Sequence, residues 1–94
     1  MIMDSNQFKE ILTDQLGFWQ LEKDSDNIYT KNAPCLSVIY LLVEIVDKTR
    51  IIVSERTEKT IIGDLKYYDK ILLESDLNDN QLINRIELIH DSYC

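Results

Sequence analysis

Few residues in this chain have the types or the spacing that catalysis requires. His90 is the only histidine. A general base needs a carboxylate or a nucleophile within hydrogen-bond reach. Its sequence neighbour is Asp91, and adjacent residues on a helix point apart. His90 is therefore expected to be a surface or half-buried side chain rather than a catalytic one. The two cysteines, Cys35 and Cys94, are too few and too distant for the common zinc patterns. Cys35 opens an apolar stretch and reads as a small buried hydrophobe. Cys94 has no basic neighbour that would activate its thiol. No disulfide framework is expected, and a reducing cytoplasm is the simpler setting. The carboxylate pairs Asp24/Asp26 and Asp76/Asp79 fall in turn or cap sequences, where acids are ordinary. Two glycines cannot build a Gly-rich phosphate loop. No catalytic residue, cofactor or metal site is expected.

The sharpest local pattern is Asp76-Leu77-Asn78-Asp79-Asn80-Gln81-Leu82-Ile83-Asn84-Arg85-Ile86-Glu87. It resembles an EF-hand calcium loop, with oxygen-bearing side chains at the first, third and fifth positions and a glutamate at the end. Gln81 stands where the sharp turn needs glycine, and no second hand is present. The reading adopted is a helix N-terminus, with Asn78 as cap, Asp79 favouring the helix dipole and Glu87 on the solvent face.

The aromatic residues are the other candidates. Tyr67 and Tyr68, with Phe18, Trp19 and Tyr40, have the chemistry of protein-interface anchors, although such residues also fill small cores. Consecutive tyrosines on a strand point to opposite faces, so one of Tyr67 and Tyr68 is expected to be exposed.

The elements that must position these residues follow from periodicity. Asp4 and Gln7 have capping-box spacing, and Phe8, Ile11, Leu12 and Leu16 recur at helical intervals before Gly17. Residues 18–23 read as a short strand, 24–27 as a polar turn and 28–31 as the return strand, broken by Asn32-Ala33-Pro34. Residues 35–46 are a strand apolar on both faces, which predicts cover on both sides by helices, a second subunit or a partner. Residues 47–50 form a turn and 51–57 pair back, with a polar, solvated outer half at 54–59. Residues 60–75 fit either a helix or a strand, and a strand ending near Glu74 is favoured. Asn78 and Gln81 then have capping-box spacing before a helix with Leu82, Ile83, Ile86, Ile89 and Tyr93 on one face. This order predicts a single α+β domain over residues 1–94. An antiparallel sheet of four to five strands centres on 36–46 and 51–57, with an N-terminal and a C-terminal helix packed on it.

The chain has 94 residues, with 17 acids against 10 bases and a net charge of -7. That balance disfavours direct binding to nucleic-acid backbone. The start of the chain has no signal-peptide pattern. The apolar run 36–46 contains Ser37 and Glu44 and is too short for a membrane span. Residues 1–26 carry six acids and two bases, residues 64–94 seven acids and three bases, and the middle is near neutral. Helices sharing one sheet face would thus present an acidic surface that steers basic partners. The candidates on it are Asp69, Glu74, Asp76, Asp79, Glu87 and Asp91, with Tyr67 and Tyr68 as apolar anchors.

In size, charge and composition the chain is similar to phage-encoded inhibitors of host defence, including anti-CRISPR proteins, and to immunity proteins that neutralise nuclease toxins. That similarity implies a non-catalytic, cytoplasmic inhibitor that occludes the basic, nucleic-acid-binding surface of a partner protein. A structural or oligomerising subunit is the alternative suggested by the two-faced strand, which leaves a homo-oligomer open. A small enzyme or metal sensor would rest on the calcium-like loop and His90 alone.

Overall fold

A computed structural model describes residues 3–22, 25–35, 38–47 and 49–93. The expectations placed on Lys23, Asp24, Leu36, Lys48 and Cys94 lie outside these residues.

The N-terminal helix α1 (Ser5–Glu10) begins on the expected capping box. The Asp4 carboxylate accepts from the Gln7 amide at 2.8 Å, and the Gln7 side chain accepts from the Asp4 amide at 3.1 Å. The helix continues as a π-helical turn, Ile11–Gln15, in which the Leu16 amide reaches back to the Ile11 carbonyl at 3.0 Å. The wider turn sets Phe8 and Leu12 on the buried side. Gly17, at φ +76°, reverses the chain. Lys31 Nζ closes the helix end by donating to the Leu16 carbonyl at 2.7 Å.

Five strands follow in an antiparallel meander, β1-β2-β3-β4-β5: β1 (Trp19–Glu22), β2 (Ser25–Asn32), β3 (Ile39–Val46), β4 (Arg50–Ile61) and β5 (Asp64–Asp76). The α+β fold and the terminal helices are as the sequence pattern predicts. Several boundaries differ. The return strand β2 begins at Ser25, inside the stretch expected as a turn. Strand β3 begins at Ile39, because Cys35 sits in a turn at φ +66°. Cys35 is exposed and disulfide-bonded, which corrects its reading as a buried, unbridged hydrophobe. Residues 54–58 are half-buried strand residues, not a solvated end, because β3 and β5 flank them.

The core lies on one face of the sheet. Leu41, Val43 and Ile45 of β3 and Ile51 and Val53 of β4 alternate onto it and meet Phe8 and Leu12 from the N-terminal helix. Leu82 and Ile86 of α2 (Leu82–Asp91) complete the same cluster. Both helices therefore cover the same face, and among the described residues no helix covers the other. Of the cover expected on both sides of β3, the helices supply one side, and its second apolar face is open in the single chain.

Strand β5 carries a β-bulge. Val53 pairs with Leu73 and Ser54 pairs with Ile71, so Leu72 is an extra residue. Leu72 and Leu73 consequently both pack against the core. Strand β3 follows β4 only as far as Thr57, whereas β4 and β5 pair on to Ile61 and Asp64. The β4–β5 hairpin thus projects past the sheet as a two-stranded arm, and residues 59–71 are all exposed. No helix of the described residues is long and apolar enough to cross a membrane.

Candidate functional site

On the open face, cross-strand registers bring distant residues into rows. Trp19 pairs with Thr30, Thr30 with Leu42, and Leu42 with Ser54. Beside that row, Tyr40 pairs with Arg56, and Arg56 with Asp69. Leu42 and Thr30 form a sunken floor, 7% and 3% exposed with no helix above them. Trp19, Leu21, Tyr40, Arg56 and Tyr67 stand around this floor and enclose a groove of about 180 Å³. All five strands contribute to it, so the assembled sheet is needed to form it.

Arg56 is fixed in place. Its Nε and Nη2 donate to the two Asp69 carboxylate oxygens at 2.8 and 2.9 Å, and its guanidinium lies 5.3 Å from the centroid of the Tyr67 ring. The hydrogen bond from Arg56 holds the Asp69 carboxyl below the usual carboxylate range, and the same bond raises Arg56. Tyr40 Oη donates to Glu58 Oε2 at 3.5 Å. The groove thus has a floor of Leu42 and Thr30, aromatic walls and one oriented, charge-compensated guanidinium. Trp, Tyr and Arg are the residue types that dominate protein-interface energetics. None of its lining residues is an activated nucleophile or a metal ligand.

The sequence-selected acids divide between the two sides of the sheet. Alternation along β5 places Asp69, Glu74 and Asp76 on the open face, with Glu74 4.0 Å from Arg50. Asp79, Glu87 and Asp91 belong to α2 and its approach, on the covered side. Asp79 is committed to structure. Its carboxylate accepts from the Gln81 amide at 2.9 Å, from Ser75 Oγ at 3.2 Å and from Arg85 at 2.7 Å. The Gln81 backbone N–H is the main reason that its carboxyl is depressed. Gln81 occupies the N-cap position of α2 without a side-chain cap bond. This corrects the expected Asn78–Gln81 capping box: Asp79 supplies the side-chain acceptor. Among the described residues no three of His, Cys, Asp and Glu converge as metal ligands, so Asp76, Asp79 and Glu87 are not gathered into a calcium loop.

Glu87 and Asp91 line a second groove of about 200 Å³ with Gln15, Leu16, Phe18, Lys31, Ile86 and His90. His90 Nδ1 lies 3.2 Å from Asp91 Oδ1, which corrects the expectation that Asp91 points away. Asp91 is exposed, so the pair is a surface contact.

Tyr67 and Tyr68 are both exposed, at 53% and 47%, where one was expected to be covered. The reason is the projecting arm, which has no layer on either side at that point. Tyr67 takes the open face under Arg56, and Tyr68 takes the other side, 5.4 Å from Lys59 Nζ. Trp19, Leu42 and Arg56 were not singled out together from the sequence. The available signal was the apolar second face of β3, which has no apolar helix left over to cover it. No family model, curated protein or solved structure matches the chain.

Proposed function

We propose that this protein is a non-catalytic binding module that occludes a basic, nucleic-acid-binding surface of a partner protein, an inhibitor of the phage anti-defence type. The observation that carries this reading is the open sheet face: an aromatic groove holding an oriented arginine, with an excess of carboxylates around it. Glu44, Glu58, Asp69, Glu74 and Asp76 share that face by strand alternation, against Arg50 and Arg56. An apolar centre with a charged rim is the usual anatomy of a protein-binding patch. The acidic rim steers a basic partner, and Trp19, Tyr40 and Tyr67 supply buried contact area once it docks. The carboxylates of α2, Glu87 and Asp91, add to the long-range field from the far side. Inhibition follows by occupation: carboxylates and rings lie where the partner would hold phosphates.

A cytoplasmic site of action would keep Cys35 reduced, since disulfides are rare there. No residue lining the groove is a cysteine, so binding is expected to be indifferent to reductant.

The test is affinity capture from lysate at graded salt, with the wild type, Trp19→Ala and Tyr67→Ala as baits. The expected result is a basic nucleic-acid-binding protein, retained by wild type, released as salt rises and lost from both variants. Retention equal across the three baits would overturn this reading.

A further inference from the structure

The β4–β5 arm extends past the sheet without support. Beyond Thr57 it is a two-stranded ribbon among the described residues, and such a ribbon is marginal in water. Its outer strand, β5, is an edge of the sheet, so one row of its backbone N–H and C=O groups faces no other described strand. Natural sheets shield such edges with short strands, prolines, bulges or lysines. The other edge strand, β1, has four residues and a register shift. By contrast β5 has 13 residues, no proline and its bulge at Leu72, so from Asp64 to Ile71 the ladder is regular. Lys66 and Lys70 are the shield that remains, and they deter pairing unless each meets an opposite charge or a ring.

We infer that this edge pairs with the same edge of a second copy, antiparallel about a two-fold axis through Tyr67. An axis perpendicular to the sheet keeps every residue on its own face. Residues paired across it are therefore both even or both odd in number. Asp64, Lys66, Tyr68 and Lys70 share the helix-covered side, and Leu65, Tyr67, Asp69 and Ile71 share the open side. Three axes fall in the middle of the regular segment, and charge separates them. An axis through Lys66 sets Lys66 against the second copy's Lys66. An axis through Tyr68 sets Lys66 against the second copy's Lys70. An axis through Tyr67 sets Asp64 against the second copy's Lys70, twice by symmetry, and Lys66 against its Tyr68. Opposite charges directly across a ladder are favourable and like charges unfavourable. Neither Asp64 nor Lys70 forms an ion pair among the described residues, and Glu55, across from Lys70, accepts from Tyr93. Asp69 keeps its bonds to Arg56 and meets the second copy's Leu65. The same axis matches Gly63 with Ile71, so the overlap runs from the hairpin turn to the bulge and uses the whole regular edge. This self-complementarity about Tyr67 selects a second copy over an unrelated extended segment. The arm becomes four-stranded, and the two five-stranded sheets join edge to edge. Both open faces then lie on one side, with the two Tyr67 residues adjacent at the axis. Each Tyr67 walls its own groove, so the two grooves adjoin. The pairing uses backbone at the edge, so it neither rests on nor blocks the partner proposed above.

The experiment is light scattering on the purified chain over a concentration series, with amide hydrogen exchange measured at both ends of it. The expected mass doubles from 11.1 kDa as concentration rises, and alternate amides of residues 64–71 gain protection over the same range. Asp64→Lys and Lys70→Asp are each expected to weaken the dimer about tenfold, because each turns two opposite-charge pairs into like-charge pairs. Both positions are exposed, so the circular dichroism of each variant is expected to match wild type. The double variant exchanges the two signs and is expected to restore dimerisation. A chain that stays monomeric at every concentration overturns the inference. A dimer that leaves residues 64–71 unprotected overturns it as well. So does a dimer indifferent to both single reversals, or one that the folded double variant fails to restore.

Discussion

Ile62 and Tyr93 each make a claim that stability measurements can check. A β-branched side chain held at φ +51° costs on the order of 1 kcal/mol, and glycine takes that conformation without penalty. Ile62→Gly is therefore expected to raise the unfolding free energy by about 1 kcal/mol in urea, measured on the monomer. Tyr93 lies just beyond α2 and donates to Glu55 Oε2. Burial, and then this hydrogen bond to a carboxylate, push its phenol up from 10.0 to about 12. The folded value exceeds the unfolded one. Its contribution to stability is therefore complete below pH 10 and is lost as pH rises from 10 towards 12. Denaturation midpoints measured from pH 9 to 12 should fall more steeply for wild type than for Tyr93→Phe, which has no phenol to ionise.

At the scale of elements, the bulge and the start of α2 decide which side chains are presented. Leu72 is the extra residue between the Val53–Leu73 and Ser54–Ile71 pairs. Deleting it leaves those two pairs adjacent, as in an unbulged ladder, so Tyr67 should remain under Arg56. The deletion is expected to fold and to lose about 1 kcal/mol, the value of a half-buried leucine, in urea denaturation. The α2 start depends on Asp79, which accepts from Gln81, Ser75 and Arg85. Asp79→Ala is expected to lower the urea midpoint, because it removes the side-chain acceptor at the start of α2. Asn78→Ala should cost little, since the cap bond expected of Asn78 is not the one formed.

For the whole molecule, charge and shape separate. The acids are spread over both sides of the sheet, so the long-range field is broad, while the aromatic groove is local. Association with a basic partner should slow as salt rises from 0.1 to 1 M, because the Debye length falls from about 10 Å to about 3 Å. Reversing Glu87 and Asp91 should slow association without changing dissociation, since both are exposed on α2 and outside the groove. Trp19→Ala should do the opposite, raising the dissociation rate. Stopped-flow mixing measures both rates.

Much of this fold is legible in local sequence. The Asp4–Gln7 box, the apolar stripe of α2 and the β-branched run of β3 are dictated by spacings of two to four residues, which chain geometry converts directly into helix or strand. The antiparallel order followed because consecutive strands are joined by short turns. The ambiguity at 60–75 arose because the bulge at Leu72 breaks the period of two, and the Ile62–Gly63 turn uses a residue that turn chemistry disfavours. The groove was not legible at all. Trp19 and Tyr67 line one groove only because the three strands between them are in register, and one slip would turn either side chain to the other face. Which face the helices cover, and hence that Leu42 lies on the floor of an open groove while Val43 is buried beneath helices, is a tertiary choice. Two short amphipathic helices cannot cover both faces of five strands, so an apolar face was left exposed.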